Sequence, residues 1–111
     1  MSLTLYGGPK TRASMPRWYL EEKGIPYELK ELDLRGNQHR QPDYLAINPF
    51  GKLPALVDTS QQGMDGQPLK LFESGAILLH LAEHHAGEIT SASQRSLIAQ
   101  WLLFANATLA I

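Results

Sequence analysis

The 111-residue sequence contains no cysteine. Disulfide staples, thiolate metal sites and a protein-borne thiol nucleophile are therefore excluded within it. It also lacks a dominant charge, with 10 Lys and Arg against 11 Asp and Glu and a formal net charge of -1. No basic stripe interleaved with aromatics occurs, which removes the simplest mode of nucleic-acid binding. Long apolar runs are missing too: nothing approaches the ~18 residues of a membrane-spanning helix. The opening MSLTLYGG has neither the charged start nor the apolar run of a signal peptide. These absences lead us to expect a cytoplasmic protein whose partners are neither nucleic acid nor membrane. What remains is the composition of a folded domain, 43% hydrophobic and 19% charged. The length suits one domain, with room for part of another.

Along the chain, Leu3–Tyr6 is a short apolar strand stopped by Gly7-Gly8-Pro9. A helix is expected over Ala13–Lys23, with Gly24 placed to end it. Its N-cap is either Ser14 or Thr11; with Thr11, Pro16 would lie a full turn inside and bend the helix. Ile25–Leu34 alternates as a second strand, residues 35–41 are polar loop, and Pro42–Ile47 suits a short helix. Leu53–Val57 and Leu69–Phe72 are two further strands, joined by the polar loop Asp58–Pro68 and close enough in sequence to pair antiparallel. Ser74–His85 is a strongly patterned helix, with Ile77, Leu78, Leu81 and Ala82 on one face. The order βαβ, helical turn, ββ, α predicts a four-stranded mixed sheet with helices on both faces, its first unit parallel and right-handed.

Beyond Gly87 the pattern changes. Ser91 or Ser93 is placed to cap a helix running to Ile111, apolar on nearly every side between Trp101 and Ala105. Such a helix needs neighbours on more than one face. We therefore expect 1–86 to form one domain and 91–111 to be the first helix of a second, helical domain. The competing expectation is a terminal helix docked on the sheet.

The stretch NPFGKLPALVD (48–58) sets a proline where a strand begins. Pro54 cannot donate to a sheet ladder, so Leu53 before it is free to offer its main chain elsewhere. Together with YGGPKTRAS (6–14) and FESGAILLHLAE (72–83), this segment resembles the glutathione S-transferase family. The likeness is to its thioredoxin-like N-terminal domain, and the overall pattern is similar to bacterial, cyanobacterial-like members. It covers residues 3 to about 86, while 91–111 looks like the family's first C-terminal helix.

The resemblance implies a glutathione site. Leu53 would pair its main chain with the cysteinyl part of glutathione, beside a cis Pro54. Ser74, opening a helix, would receive the γ-glutamyl carboxylate, where orphan N–H groups and the helix dipole favour an anion. Glu73 would receive the γ-glutamyl ammonium. By comparison with theta-like members, His39, Arg40 and Lys52 fall where side chains meet the glycyl carboxylate, Lys52 being the best fixed of them. No cofactor is implied beyond glutathione as co-substrate. The family's partners would be a small hydrophobic electrophile and a second copy in a homodimer, and its usual role is detoxification.

Family members stabilise the glutathione thiolate with a Tyr, Ser or Cys near the end of the first strand, because a free thiol has a pKa near ~8.5. This sequence departs from that pattern: matching TRA (11–13) to the theta-like Ser-Arg-Ala puts Gly8 where their serine stands. The candidates are Arg12 with Thr11, then Tyr6, then Ser14. Arg12 cannot act as a base but can stabilise a neighbouring anion; its alternative role is an ion pair that positions the helix.

Two other patterns carry little weight. HLAEH (80–84) matches an inverted zinc-protease motif, but no third ligand stands out, so no metal is expected. Asn106-Ala107-Thr108 is formally a glycosylation sequon inside an apolar helix. Two functions follow from the whole: a glutathione transferase, or a non-catalytic module of the same fold that binds or assembles. One exclusion can be tested directly. Redox members of such families usually work through a protein–glutathione mixed disulfide. A chain without cysteine cannot form one, so any redox activity would have to use the bound glutathione itself. Mass spectrometry after treatment with oxidised glutathione should find no glutathionyl mass on this chain, and a stable adduct would refute the exclusion.

Overall fold

A computed structural model describes residues 2–8 and 11–106. Its elements in order are β1 (Leu3–Gly7), α1 (Ser14–Glu22), β2 (Glu28–Glu31), a 3-10 turn (Gln38–Arg40), α2 (Pro42–Leu45), β3 (Ala55–Gln62), β4 (Pro68–Phe72), α3 (Ser74–His84) and α4 (Ala92–Phe104). The strands form one sheet in the order β2-β1-β3-β4. β1 runs parallel to β2 and antiparallel to β3, and β4 is antiparallel to β3. This is the expected α/β architecture, a four-stranded mixed sheet of thioredoxin-like type followed by a further helix.

The registers set Leu29 beside Leu5, Leu5 beside Leu56, and Leu56 beside Leu71, a row of leucines across all four strands. Successive strand residues face opposite sides, so Leu3 and Leu5 share this face. There they meet Leu20 of α1 and Ile77 and Leu81 of α3 in the buried core. Each such aliphatic side chain contributes about 1.5–3 kcal/mol on burial. On the other face of β1, the Tyr6 ring packs on Tyr44 of α2 at 5.6 Å. Helices therefore lie on both faces.

Several boundaries differ from those expected. β2 is confined to Glu28–Glu31, because Pro26 cannot donate to a ladder and the chain turns after Leu32, whose N–H bonds the Gly7 carbonyl at 2.9 Å. β3 continues through Gln62, well into the segment expected as loop; only Gly63–Gln67 turns, closed by Gly63 N–H to the Gln67 carbonyl at 2.7 Å. A register irregularity between Asp58 and Gln62 accommodates the extra strand. In α1 neither Ser14 nor Thr11 is the N-cap, which is Ala13. Thr11 acts one turn earlier, its Oγ1 accepting from the Ala13 N–H at 3.2 Å. Pro16 then falls at the third helical position, where a missing N–H costs nothing. Ser91 does cap α4, accepting from the Gln94 N–H at 3.2 Å. α4 packs against α3 and leaves Trp101 63% and Leu103 66% exposed. The part of this helix expected to reach Ile111 lies, from residue 107, outside the described residues, as does Pro9.

One buried charge ties α3 to the sheet. Asp58 shares the leucine face of β3 and is fully buried. Its Oδ2 receives His80 Nε2 at 2.7 Å and His85 Nε2 at 2.8 Å, while Oδ1 accepts from the Ser60 hydroxyl and N–H at 2.5 and 2.9 Å. Burial alone would raise the Asp58 pKa, but these hydrogen bonds outweigh it and hold the carboxyl well below the usual range. His80 moves down as well, because burial disfavours its charged form more than Asp58 supports it.

Both shifts work in the same direction. A group whose folded pKa is depressed binds protons more readily when unfolded, so stability rises with pH. The His80 contribution is present above its unfolded pKa of about 6.5 and fades below it; that of Asp58 fades below about 3.9. Urea midpoints should be flat above pH 7, decline below about pH 6.5 and fall more steeply below about pH 4. Asp58→Ala should cost about 2–4 kcal/mol at pH 7, since it strands two histidines and a serine. A midpoint at pH 7 equal to wild type would refute this account of α3 docking.

Candidate functional site

The registers bring three chain segments to one end of the sheet. Tyr6 and Phe72 both stand opposite Ala55. Continuing one or two residues, the Gly8 end of β1, the Leu53–Pro54 approach to β3 and the Glu73–Ser74 exit from β4 must adjoin. The β3 ladder begins at Ala55, so Leu53 lies outside it. The Leu53–Pro54 peptide bond is cis.

The loop before Leu53 is clamped from below. The Lys52 carbonyl accepts from Tyr44 Oη at 2.6 Å and from Asn48 Nδ2 at 3.0 Å, and Asn48 Oδ1 accepts from the Phe50 N–H at 3.0 Å. Burial pushes the Tyr44 pKa up to about 12, so its hydroxyl keeps the proton it donates. Gly51 has φ +66, and a Cβ there would meet the His39 carbonyl at 2.9 Å. Only glycine lets the Lys52 loop pass so close to the 3-10 turn. Among the described residues, the buried His39 Nδ1 has no hydrogen-bond partner.

Helix α3 supplies the opposite wall. Its first main-chain bond is Ile77 N–H to the Glu73 carbonyl at 3.0 Å. The N–H groups of Ser74, Gly75 and Ala76 therefore have no acceptor within the helix. Glu73 precedes them at φ 75, ψ 120, a conformation costly for a residue with a Cβ. Ser74 is buried, and its hydroxyl donates to Asn106 Oδ1 at 2.5 Å. The Asn106 carbonyl accepts from Arg12 Nη1 at 3.3 Å. Thr11 Oγ1 donates to the Gly8 carbonyl at 2.7 Å, which commits its proton to the turn.

Between these walls lies a cleft of about 710 Å³. Thr11 and Arg12 stand at one side, Glu73 and Ser74 at another, and His39, Lys52, Leu53 and Pro54 between. Three sequence candidates are not brought there. Tyr6 points to the far face of the sheet, into a separate hollow with Lys30 and Tyr44. Arg40 is exposed on the 3-10 turn outside the cleft, and Ser14 is exposed in the first turn of α1. Strand alternation explains Tyr6: Leu5 faces the core, so its neighbour cannot. Sequence reasoning missed Asn48 and Phe72 in the cleft wall and Asn106 at its rim. Asn48 carried a signal, an Asn-Pro turn of the kind that hydrogen-bonds its own loop. Asn106 had none, since Ser74 and Arg12, which it meets, are far away in sequence.

The third group that HLAEH lacked is present, but with a different histidine. Asp58, His80 and His85 offer ligand atoms within 4.8 Å of one another, whereas His84 is surface-exposed, its ring 4.8 Å from that of His80. The hydrogen bonds of the trio already account for its geometry.

A four-stranded mixed sheet with a cis-proline loop facing a helix N-terminus across a cleft defines a thioredoxin-like domain with an open cleft at one sheet end. Comparison with known proteins gives the family. The model of the glutathione S-transferase N-terminal domain matches residues 1–83, and the chain belongs to the glutathione S-transferase family. It is 40% identical over 104 residues to the disulfide-bond oxidoreductase YfcG of Escherichia coli K12, covering 92% of this chain and 47% of that one. Its structure is similar to a glutathione transferase from Pseudomonas putida solved with one glutathione disulfide bound per subunit. The TM-score there is 0.78 at 36% identity, covering 96% of this chain and 46% of the other. It is also similar to the nitrogen regulation fragment of the yeast prion protein Ure2p, with TM-score 0.77 at 31% identity, covering 96% and 48%. The chain thus spans about half the length of each of these relatives. Among the described residues no helix is long and apolar enough to cross a membrane.

The backbone at Glu73 yields a direct test. Glu73→Gly removes the side chain that makes φ 75 costly, and should raise folding stability by about 1 kcal/mol. Urea denaturation reads this; a lower midpoint in the variant would show that Glu73 holds the start of α3 by contacts worth more than the strain.

Proposed function

We propose that this chain is the glutathione-binding part of a glutathione transferase, in which residues 91–111 begin the helical domain that completes the electrophile pocket. The observation that carries this reading is the Leu53 main chain, outside the β3 ladder and lying in one cleft with Arg12 and the N-terminus of α3. Glutathione is an extended tripeptide with an ammonium and a carboxylate at one end and a second carboxylate at the other. Ser74 and the first N–H groups of α3 suit the γ-glutamyl carboxylate, and Glu73 suits its ammonium. Lys52 and the unpartnered His39 Nδ1 suit the glycyl carboxylate. Leu53 pairs with the cysteinyl unit, which sets the sulfur near Arg12. The bound structure of the Pseudomonas putida relative supports the ligand.

In this reading the protein's task is electrostatic. Arg12 stabilises the thiolate, and the thiolate attacks a small hydrophobic electrophile, displacing a leaving group or adding to an activated double bond. Arg12 is favoured over Thr11, whose proton is committed to the Gly8 carbonyl, and over Tyr6, which faces away. The family's homodimer and a cytoplasmic location belong to the same proposal. A second reading, a binding or assembly module without turnover, is favoured by the likeness to the nitrogen regulation fragment of Ure2p and by Gly8 standing where a hydroxyl is expected.

Titration of the thiolate separates the two. In the full-length protein, the bound thiol should ionise well below free glutathione, as read by ultraviolet absorbance. Arg12→Ala leaves Leu53, Glu73 and Ser74 in place, so glutathione should still be retained. Its thiol pKa should rise by about two units, about 2.7 kcal/mol of thiolate stabilisation, with turnover falling at neutral pH and partly recovering at high pH. Tyr6→Phe should change little. A raised pKa in Tyr6→Phe with Arg12→Ala unchanged would make this a tyrosine-type enzyme. An unperturbed wild-type thiol would favour the binding module.

A further inference from the structure

Asn106 stands two residues beyond α4 and touches both ends of the cleft. Its Nδ2 donates to the Leu102 carbonyl at 2.9 Å. A carbonyl only accepts, so the amide must present its NH2 group there and its Oδ1 to Ser74. That in turn obliges the Ser74 hydroxyl to be the donor in their 2.5 Å contact. Gly75 permits this approach, since a Cβ there would lie 3.3 Å from Asn106 Nδ2. Through its main-chain carbonyl, Asn106 also accepts from Arg12 Nη1 at 3.3 Å. The Ser74 side chain is buried, so its proton has few possible recipients: Asn106 on one side and whatever occupies the cleft on the other.

We propose that Asn106 is a positioning residue for the carboxylate subsite, holding the Ser74 hydroxyl in place and setting which way its proton points. This rests on the reading that a γ-glutamyl carboxylate docks at the N-terminus of α3. With the amide as it stands, the Ser74 proton is directed to Asn106 and its lone pairs face the cleft. When a carboxylate reaches the N–H groups of α3, a half-turn of the amide brings Nδ2 to Ser74 Oγ and releases the hydroxyl proton to the ligand. Ser74 Oγ stays where it is while its hydrogen bond with Asn106 reverses direction. The amide gives up its bond to the Leu102 carbonyl, and the serine gains a charge-assisted bond of about twice the strength of a neutral one. Aspartate at this position could only accept, and would keep the serine proton from the ligand.

The test pairs two variants with two ligands in the full-length protein, by calorimetry. One ligand is glutathione; the other is γ-aminobutyryl-cysteinyl-glycine, which lacks only the γ-glutamyl α-carboxylate and keeps the ammonium. Asn106→Ala should weaken glutathione binding about threefold to tenfold, and Asn106→Asp more than tenfold. Both variants should bind the truncated ligand within about twofold of wild type, because its contacts bypass Ser74. The thiol pKa of glutathione bound to Asn106→Ala should match wild type, since Arg12 is held by a main-chain carbonyl that the substitution keeps. Equal losses for both ligands would mean a purely structural role and overturn the inference, as would unchanged glutathione affinity in Asn106→Ala. Wild-type protein that binds no glutathione would overturn the functional reading itself, a result distinct from either.

Discussion

The antiparallel seat of β3 between β1 and β4 is the constraint on which the rest of this structure depends. Ala55 is paired with Tyr6 on one side and Phe72 on the other. That single register aligns leucines across the sheet for the core, and it also decides which residues leave the sheet together. A slip of one residue would turn the leucine face outward. It would also part Leu53 from Ser74 and Arg12. Folding stability and assembly of the cleft are thus consequences of one alignment.

Around this seat, the cleft is made by parts that are individually unfavourable or already committed. Glu73 holds a conformation costly for any side chain. His39 keeps a buried nitrogen without a partner among the described residues. The compensation lies in the Asp58 network that fixes α3 and in the double hydrogen bond that fixes the Lys52 carbonyl. Rigid surroundings hold the main chain of Leu53 and the first turn of α3 in place, so in the proposed function little ordering is left for binding to supply.

Much of this was legible in the sequence, for identifiable reasons. Apolar alternation in β1 and helical spacing in α3 are local patterns, and the Lys-Leu-Pro and Glu-Ser segments lie directly on the chain as it enters and leaves the sheet. Thr11, Arg12, His39, Lys52, Leu53, Pro54, Glu73 and Ser74 accordingly fell in the cleft wall. What escaped depended on distance or on facing. Tyr6 has the right spacing from Arg12 but the wrong parity in its strand. Arg40 follows His39 on a turn too tight to aim both residues inward. The extension of β3 through Gln62 rests on main-chain bonds of polar residues, which no hydrophobic pattern reports. Asn106 matters through partners 32 and 94 residues away.

The sheet order leaves β2 and β4 as its two outer strands. Glu28, Lys30 and Glu31 stand exposed on β2, and β4 opens with Pro68 and exposes Lys70. Charges and a proline on unpaired strands discourage a second sheet from zipping on by main-chain hydrogen bonds. The apolar side chains left open on α4 carry no such guard. Strand addition is therefore disfavoured at both outer strands, and the apolar surface left open lies on a helix, where side-chain shape, rather than a generic backbone ladder, would select what packs there.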